Sequence, residues 1–380
     1  MEKLFYTDPE IKEFTATVTS CAPTEKGWEV TLDATAFYPT GGGQACDLGT
    51  LGSANVLDVT ERGEDIFHLC DAPLEVGSAV AGKIDWARRF DLMQQHTGEH
   101  VVSGIIHRLY GHQNSGFHVG EELMEVDFDG PLPEGALEEI QRLANEAVWA
   151  DYPVNCYVPS PEELPGITYR TKRALPWPVR IVEIPGIDSC ACCGIHTKRT
   201  AQVGLIYIFS CVKFHQGVRL EMACGKRALA RLHKIALQNR QVSQILSARP
   251  LETGAAAQQM KDALAAERYR AAGLESKAFD AIAQGYAGQK TAFCFEEGLE
   301  PAGVRQLAEK LAAVTELAGV FSQKEGKYNL CLAGNMDAVK ALGARLSQSL
   351  GAKGGGKPGF WQGSVNTSKE ALKALLLAKG

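Results

Sequence analysis

His96 and His100 stand four residues apart in the stretch Asp91–Gly111, DLMQQHTGEHVVSGIIHRLYG. On a helix that spacing puts both imidazoles on one face, within reach of a single ion. The stretch looks like the zinc-protease signature but is not it. That signature needs a Glu directly after the first His as general base, and Thr97 stands there. A second pair at the same spacing, Cys192 and His196, occurs in DSCACCGIHTKRT. Three imidazoles and a thiolate form a borderline-soft donor set suited to one Zn2+ per chain. Cys190 competes with Cys192 as ligand, and Cys193 reads as a small packed hydrophobe.

Two glycine runs invite a phosphate reading. GAKGGGK, Gly351 to Lys357, has P-loop spacing, but Pro358 occupies the position of the magnesium-binding Ser or Thr. It also follows a predicted helix instead of joining a strand to one, so ATP is not an expected ligand. The other run, FYPTGGGQACDLG from Phe37 to Gly49, has no helix after it to present a dipole to a phosphate. A tight turn explains one of its glycines. Three in a row point to close approach of the backbone to a ligand or a neighbouring domain.

These residues need elements to hold them. The first eighty-odd residues contain short Val- and Thr-rich alternating stretches, FTATVTS, GWEVTLD, ANVLDVT, DIFHLC and AVAGKID, separated by turn residues. They predict a small, mostly antiparallel β-barrel over 1–84. At Asp85 the period changes to helical, with a stop at Gly111, and a second helix is expected from Glu134 to Trp149. Strands return in RIVEI, VGLIYIFS and GVRLEMAC, so 85–227 reads as an α+β zinc-binding domain. From Ala228 the chain turns Ala-, Gln- and Leu-rich, and Pro250 divides it into two helices. This is a helical spacer over 228–285, a candidate dimerising hairpin. Residues 286–380 read as a C-terminal α/β domain, with helices around Val304–Leu317, around Ala338–Leu350 and after Ser368. The fold class expected for the whole is α+β.

At 380 residues the chain is too long for one ordinary core, and 45% hydrophobic with 22% charged residues is a globular composition. No apolar run approaches a membrane span, and the N-terminus MEKLFYTDPE lacks a signal peptide's basic start and hydrophobic segment. Eleven cysteines without framework spacing fit a reducing cytosol, so a cytoplasmic location is expected. The net charge of −6 confines any nucleic-acid surface to a local patch. One basic concentration exists between Arg170 and Lys234, comprising Arg170, Lys172, Arg173, Arg180, Lys198, Arg199, Lys213, Arg219, Lys226, Arg227, Arg231 and Lys234.

FYPTGGGQACDLG, QQHTGEH, VDFDG, CCGIH, GVRLEMACG and GAKGGGKPGFWQG occur in this order. Together they resemble the AlaX-type alanyl-tRNA editing proteins of the long form, relatives of the editing half of alanyl-tRNA synthetase with a DHH-associated C-terminal domain. The resemblance covers nearly the whole chain. It implies that His96, His100, Cys192 and His196 are zinc ligands, and that Gly41, Gly42, Gly43 and Gln44 border the editing site. Where the family has Cys-Gly-Gly-Thr-His, this chain has Cys193 and Ile195. Ile195 is thus expected to remove a hydroxyl beside the metal.

The implied reaction is hydrolysis of the ester that joins a wrong amino acid to tRNA(Ala), chiefly serine, with glycine a second candidate. The protein should neither charge tRNA nor use ATP. A pocket sized for Ala rejects an added hydroxyl only about a hundredfold. A site that hydrogen-bonds the hydroxyl can instead spare alanine. Thr97, Gln44, Thr40 and Asn114 are the polar side chains for that task, and Glu99 is a candidate base, although a helix Glu ordinarily faces solvent. Four protein ligands would close a tetrahedral zinc site, so either a ligand yields, the ion expands, or it only positions substrate. A non-catalytic tRNA-binding protein with a structural zinc is the alternative reading, and a zinc hydrolase for another small ester or amide is a third. The basic residues from Arg170 to Lys234, and Lys353 and Lys357 with Phe360 and Trp361, are candidate tRNA contacts.

Overall fold

The computed structural model describes residues 1–171, 177–324 and 326–378. Lys172 and Arg173 therefore lie outside the described residues. The architecture is mixed α+β, in two compact units, Met1–Gln241 and Val242–Gly380.

The first unit opens with strand β1 (Glu2–Lys3) and a short helix α1 (Leu4–Thr7), followed by β2 (Glu13–Thr24), β3 (Gly27–Leu32) and β4 (Ala34–Thr35). Next come β5 (Gly49–Leu51), β6 (Ala54–Arg62), β7 (Asp65–Cys70) and β8 (Ala79–Ile84). β4 pairs in parallel with β1, and the other six close an antiparallel barrel in the order β2-β3-β7-β6-β5-β8. Alternating residues such as Val30, Leu32, Val56, Ile66 and Cys70 fill its interior.

Helix α2 (Trp86–Tyr110) follows, capped by the Asp85 side chain, which accepts from the Arg88 amide at 3.1 Å, and ended by Gly111 in the left-handed conformation. Beyond it lie β9 (Asn114–Val119), β10 (Met124–Phe128), α3 (Ala136–Trp149) and β11 (Asn155–Tyr157). Then come β12 (Ile181–Ile184), β13 (Asp188–Ala191), β14 (Ile206–Phe214) and β15 (Gly217–Cys224). They form a four-stranded sheet, β14-β15-β10-β9, and a three-stranded one, β11-β12-β13. α3 starts two residues later than its periodicity predicts, because Gly135 adopts a left-handed conformation before it.

Helix α2 packs two ways. Met93 belongs to the barrel core, while Val101, Val102, Ile105 and Ile106 join α3 and the four-stranded sheet in a second core. His96 and His100 fall between the two. At its start, buried Arg89 donates to Asp47 (Nε to Oδ1, 2.8 Å) and to the carbonyls of Pro9 and Ala36, tying the loop that carries the glycine run to the helix.

Helix α4 (Gly225–Leu246) begins directly after β15, three residues before the expected spacer, and α5 (Thr253–Gln284) lies in the second unit. That unit continues with β16 (Thr291–Glu297), α6 (Pro301–Ala312), β17 (Leu317–Lys324), β18 (Lys327–Gly334) and α7 (Met336–Leu350). It ends with β19 (Lys353–Gly355), β20 (Phe360–Val365) and α8 (Lys369–Leu377). The sheet order is β16-β17-β18-β20-β19, with only β16 and β17 parallel. α6 stops at Ala312 and not at Leu317, which opens β17 against β16. The run Gly351–Lys357 divides into the left-handed cap of α7 at Gly351 and the edge strand β19.

Candidate metal centre

The i, i+4 spacing on α2 brings the His96 and His100 rings to 5.4 Å between centroids, and the His196 ring stands 4.5 Å from the first and 4.7 Å from the second. One donor atom each from His96, His100, Cys192 and His196 lies within 4.8 Å of the other three. Cys192 Sγ is 3.4 Å from His96 Nε2. A tetrahedral zinc with bonds of about 2.0–2.3 Å separates its ligands by roughly 3.3–3.8 Å, so the donor set fits such an ion. Both ring nitrogens of His196 are buried without a hydrogen-bond partner, which a metal ligand would explain.

Each flank of the site is anchored. His96 Nδ1 donates to Gln44 Oε1 at 2.9 Å, and His100 Nδ1 donates to Asp188 Oδ2 at 2.9 Å. Both bonds leave Nε2 to face the centre. Asp188 in turn accepts from Arg170 Nε and Nη2 at 2.7 and 2.8 Å. Burial pushes the Asp188 carboxyl up, but His100 and Arg170 outweigh it and hold it below the ordinary range. Burial likewise opposes a Cys192 thiolate, yet His96, His100 and His196 bring the thiol well below its usual value, as a metal ligand requires. Burial, with His96, keeps His196 neutral.

The Cys192–His196 segment is clipped to α2. Thr97 Oγ1 accepts from the Thr197 amide at 3.0 Å and from the Thr197 hydroxyl at 3.2 Å. Thr97 thus positions the loop and is absent from the residues lining the cleft beside the metal centre. Arg180 Nη1 donates to the Cys192 and Gly194 carbonyls at 2.9 and 2.7 Å. Ile195 points the other way, fully buried in the barrel core, so its side chain is not beside the metal as expected. Cys193 is exposed in the cleft and not packed. Cys190 groups with His100 and Asp188 and not with the other three ligands.

A cleft of ≈ 870 Å³ opens from the centre, within the range of small-molecule sites. Gly42 and Gly43 line it, while Gly41, Thr40 and Gln44 do not. Gly41 and Gln44 exchange both backbone hydrogen bonds, and φ of +58° and +81° at Gly42 and Gly43 makes this a tight turn that needs two glycines, not one. Thr40 is exposed, and its hydroxyl accepts from the Cys46 amide. Glu99 does not face solvent. It is 4% exposed, accepts from Ser103 and Asn114, and lines the cleft with Asn114.

The basic concentration is largely neutralised. Arg170, Lys198, Arg199, Arg219, Arg227, Arg231 and Lys234 each pair with an acidic neighbour. Lys213 and Lys226 are exposed, as are Lys353 and Lys357, while Phe360 and Trp361 are half-buried.

The segment 179–220, which supplies Cys192 and His196, matches the family described as the threonyl and alanyl tRNA synthetase second additional domain. The Cys192–His196 pair therefore lies in a segment similar to a domain of the threonyl and alanyl tRNA synthetases. Comparison of the whole chain is more particular. The alanyl-tRNA editing protein Aarsd1 of Danio rerio is 27% identical, with 97% of this chain and 95% of that protein aligned. Alanyl-tRNA editing protein AlaX-L of Pyrococcus horikoshii is 30% identical over 62% of this chain and 61% of its own length. An alanine–tRNA ligase of Ignicoccus hospitalis is 33% identical over 65% of this chain but only 28% of its own. Over most of its length the chain is thus a relative of the alanyl-tRNA editing proteins, the resemblance its motifs carry.

Proposed function

We propose that this protein is a trans-editing hydrolase that deacylates Ser-tRNA(Ala), with Gly-tRNA(Ala) as a second candidate substrate, using one zinc per chain and no ATP. The observation that carries this reading is the four-donor cluster opening onto a cleft in a chain whose relatives are alanyl-tRNA editing proteins. Zinc held by His96, His100, Cys192 and His196 would supply Lewis-acid polarisation of the ester. The chain's own residues do the rest. Gln44 and Asp188 orient two of the ligands, Thr97 fixes the loop that bears the other two, and Gly42 and Gly43 bring bare backbone to the cleft wall. In this reading 85–227 holds the chemistry on the barrel of 1–84, and 286–380, beyond the spacer 228–285, contacts tRNA.

The test is deacylation of Ser-tRNA(Ala) against Ala-tRNA(Ala) by zinc-loaded wild type and His100→Ala. Rapid loss of serine alone, abolished in the variant, is the expected result. Tight tRNA binding without ester cleavage by wild type would refute the proposal in favour of a binding protein with a structural zinc.

A further inference from the structure

We infer that Asn114 and Glu99 form a subsite for the α-ammonium group of the aminoacyl ester. The inference rests on the deacylase reading above and names a contact within it.

Asn114 opens β9, where the chain turns back along α2, and is only 7% exposed. Its Nδ2 donates to Glu99 Oε1 at 2.5 Å, and its Oδ1 is buried without a partner. The orientation of the amide follows from chemistry, because a carboxylate can only accept; the vacant end is therefore the carbonyl. Ser103 also donates to Glu99 Oε1, while Oε2 lies 3.9 Å from His100 Nε2, beside the metal centre. Glu99 is the one carboxylate among the described residues lining the cleft. The arginines of that lining are engaged elsewhere, Arg170 by Asp188 and Arg180 by the Cys192 and Gly194 carbonyls. A vacant acceptor and an anionic one thus converge, and a cation that donates several hydrogen bonds satisfies both.

On an aminoacyl ester that cation is the protonated α-amino group, which presents three donors. A serine hydroxyl could fill the Asn114 acceptor, but it brings a single donor and would leave Glu99 Oε2 without one. Every aminoacyl ester with a primary amine carries the same group, so the subsite anchors the class of substrate and does not choose among its members. Glu99 then acts through binding, where the sequence pointed to a base.

The test compares Ser-tRNA(Ala) with glyceryl-tRNA(Ala), in which nitrous acid has replaced the amine by a hydroxyl, for wild type, Asn114→Ala and Glu99→Gln. Circular dichroism and zinc content verify each variant, and the near-isosteric Glu99→Gln carries the test if Asn114→Ala does not fold. Wild type should prefer the amine by roughly ten- to a hundredfold, mainly in KM. Both variants should slow Ser-tRNA(Ala) towards the glyceryl rate while changing the glyceryl rate little. Equal wild-type rates on the two esters would overturn the subsite and leave the deacylase reading standing. So would variants that slow both esters equally, which would mark a role in water activation. Loss of serine-over-alanine preference with the amine preference intact would reassign Asn114 to the hydroxyl and overturn it too. Cleavage of neither ester by wild type would refute the deacylase reading. Binding of 3′-seryl-amino-3′-deoxyadenosine against its glyceryl counterpart then decides the subsite, and equal Kd values overturn it.

Discussion

Asp188 grips His100 from behind and is itself gripped by Arg170, so the ring's orientation depends on a residue outside the four-donor cluster. Loss of such a partner ordinarily weakens metal binding about ten- to a hundredfold. Asp188→Asn should therefore raise the zinc Kd by about that factor in a chelator competition, and an unchanged Kd would refute the positioning role. Cys192→Ala should weaken zinc binding while Cys190→Ala does not; equal zinc occupancy in the two would sink the ligand assignment. The four converging donors were legible because each pair repeats at i, i+4. The contacts of Gln44 with His96 and of Asp188 with His100 were not legible, because they span 52 and 88 residues and meet ring nitrogens that no local pattern reveals. His68 is a second residue hidden in this way. It is buried in the barrel between Thr35 and the Val30 carbonyl, and burial pushes its pKa from 6.5 down to about 4. Below pH 6.5 the unfolded chain takes up a proton that the native state refuses, so stability falls with pH until about 4, by about 3 kcal/mol in all. Urea unfolding of wild type and His68→Gln at pH 7 and pH 4.5 should show a smaller pH loss in the variant. Identical losses would contradict this account.

Among the elements, α2 decides most. Its period and both ends were readable, yet Arg89, Gln94, Gln95, Glu99 and Ser103 resemble a solvated face and are all buried. Each polar head has a specific receiver: Gln94 donates to the Gln202 carbonyl at 2.9 Å, and Gln95 both gives to and takes from the Cys224 backbone. The receivers of the two glutamines lie more than a hundred residues away, so periodicity could not separate a hydrogen-bonded interior from water. Gly104 shows how close the packing is, because a Cβ there would strike the Ile187 carbonyl and Asp188. Gly104→Ala should push β13 off the helix, lowering the Tm and the zinc affinity together. Asp85→Ala, which only uncaps the helix, should cost about 1 kcal/mol and leave zinc affinity alone. A Gly104→Ala protein with wild-type zinc affinity would show that helix and strand are not coupled through this contact.

At the scale of the molecule, the barrel, α2 and the Cys192–His196 loop all belong to Met1–Gln241, while Val242–Gly380 carries separate cores. A chain ending at residue 250 should fold cooperatively and retain one zinc by mass spectrometry. A metal-free product would make the second unit part of the site. No described helix is long and apolar enough to cross a membrane. The alternating strands and the helix break at Pro250 were visible in the residue pattern, whereas the pairing of the basic residues with acids was not, since charge lists carry no neighbours. The buried Arg89–Asp47 pair has a bearing on traffic through the cleft. It bolts the glycine turn to the same helix that presents His96, so one wall of the cleft and that imidazole move as a single body. Such a wall cannot swing as a gate. Any change in the width of the cleft must then come from its opposite wall, around Tyr157, Val158 and Val179, while the glycine turn and His96 keep their spacing.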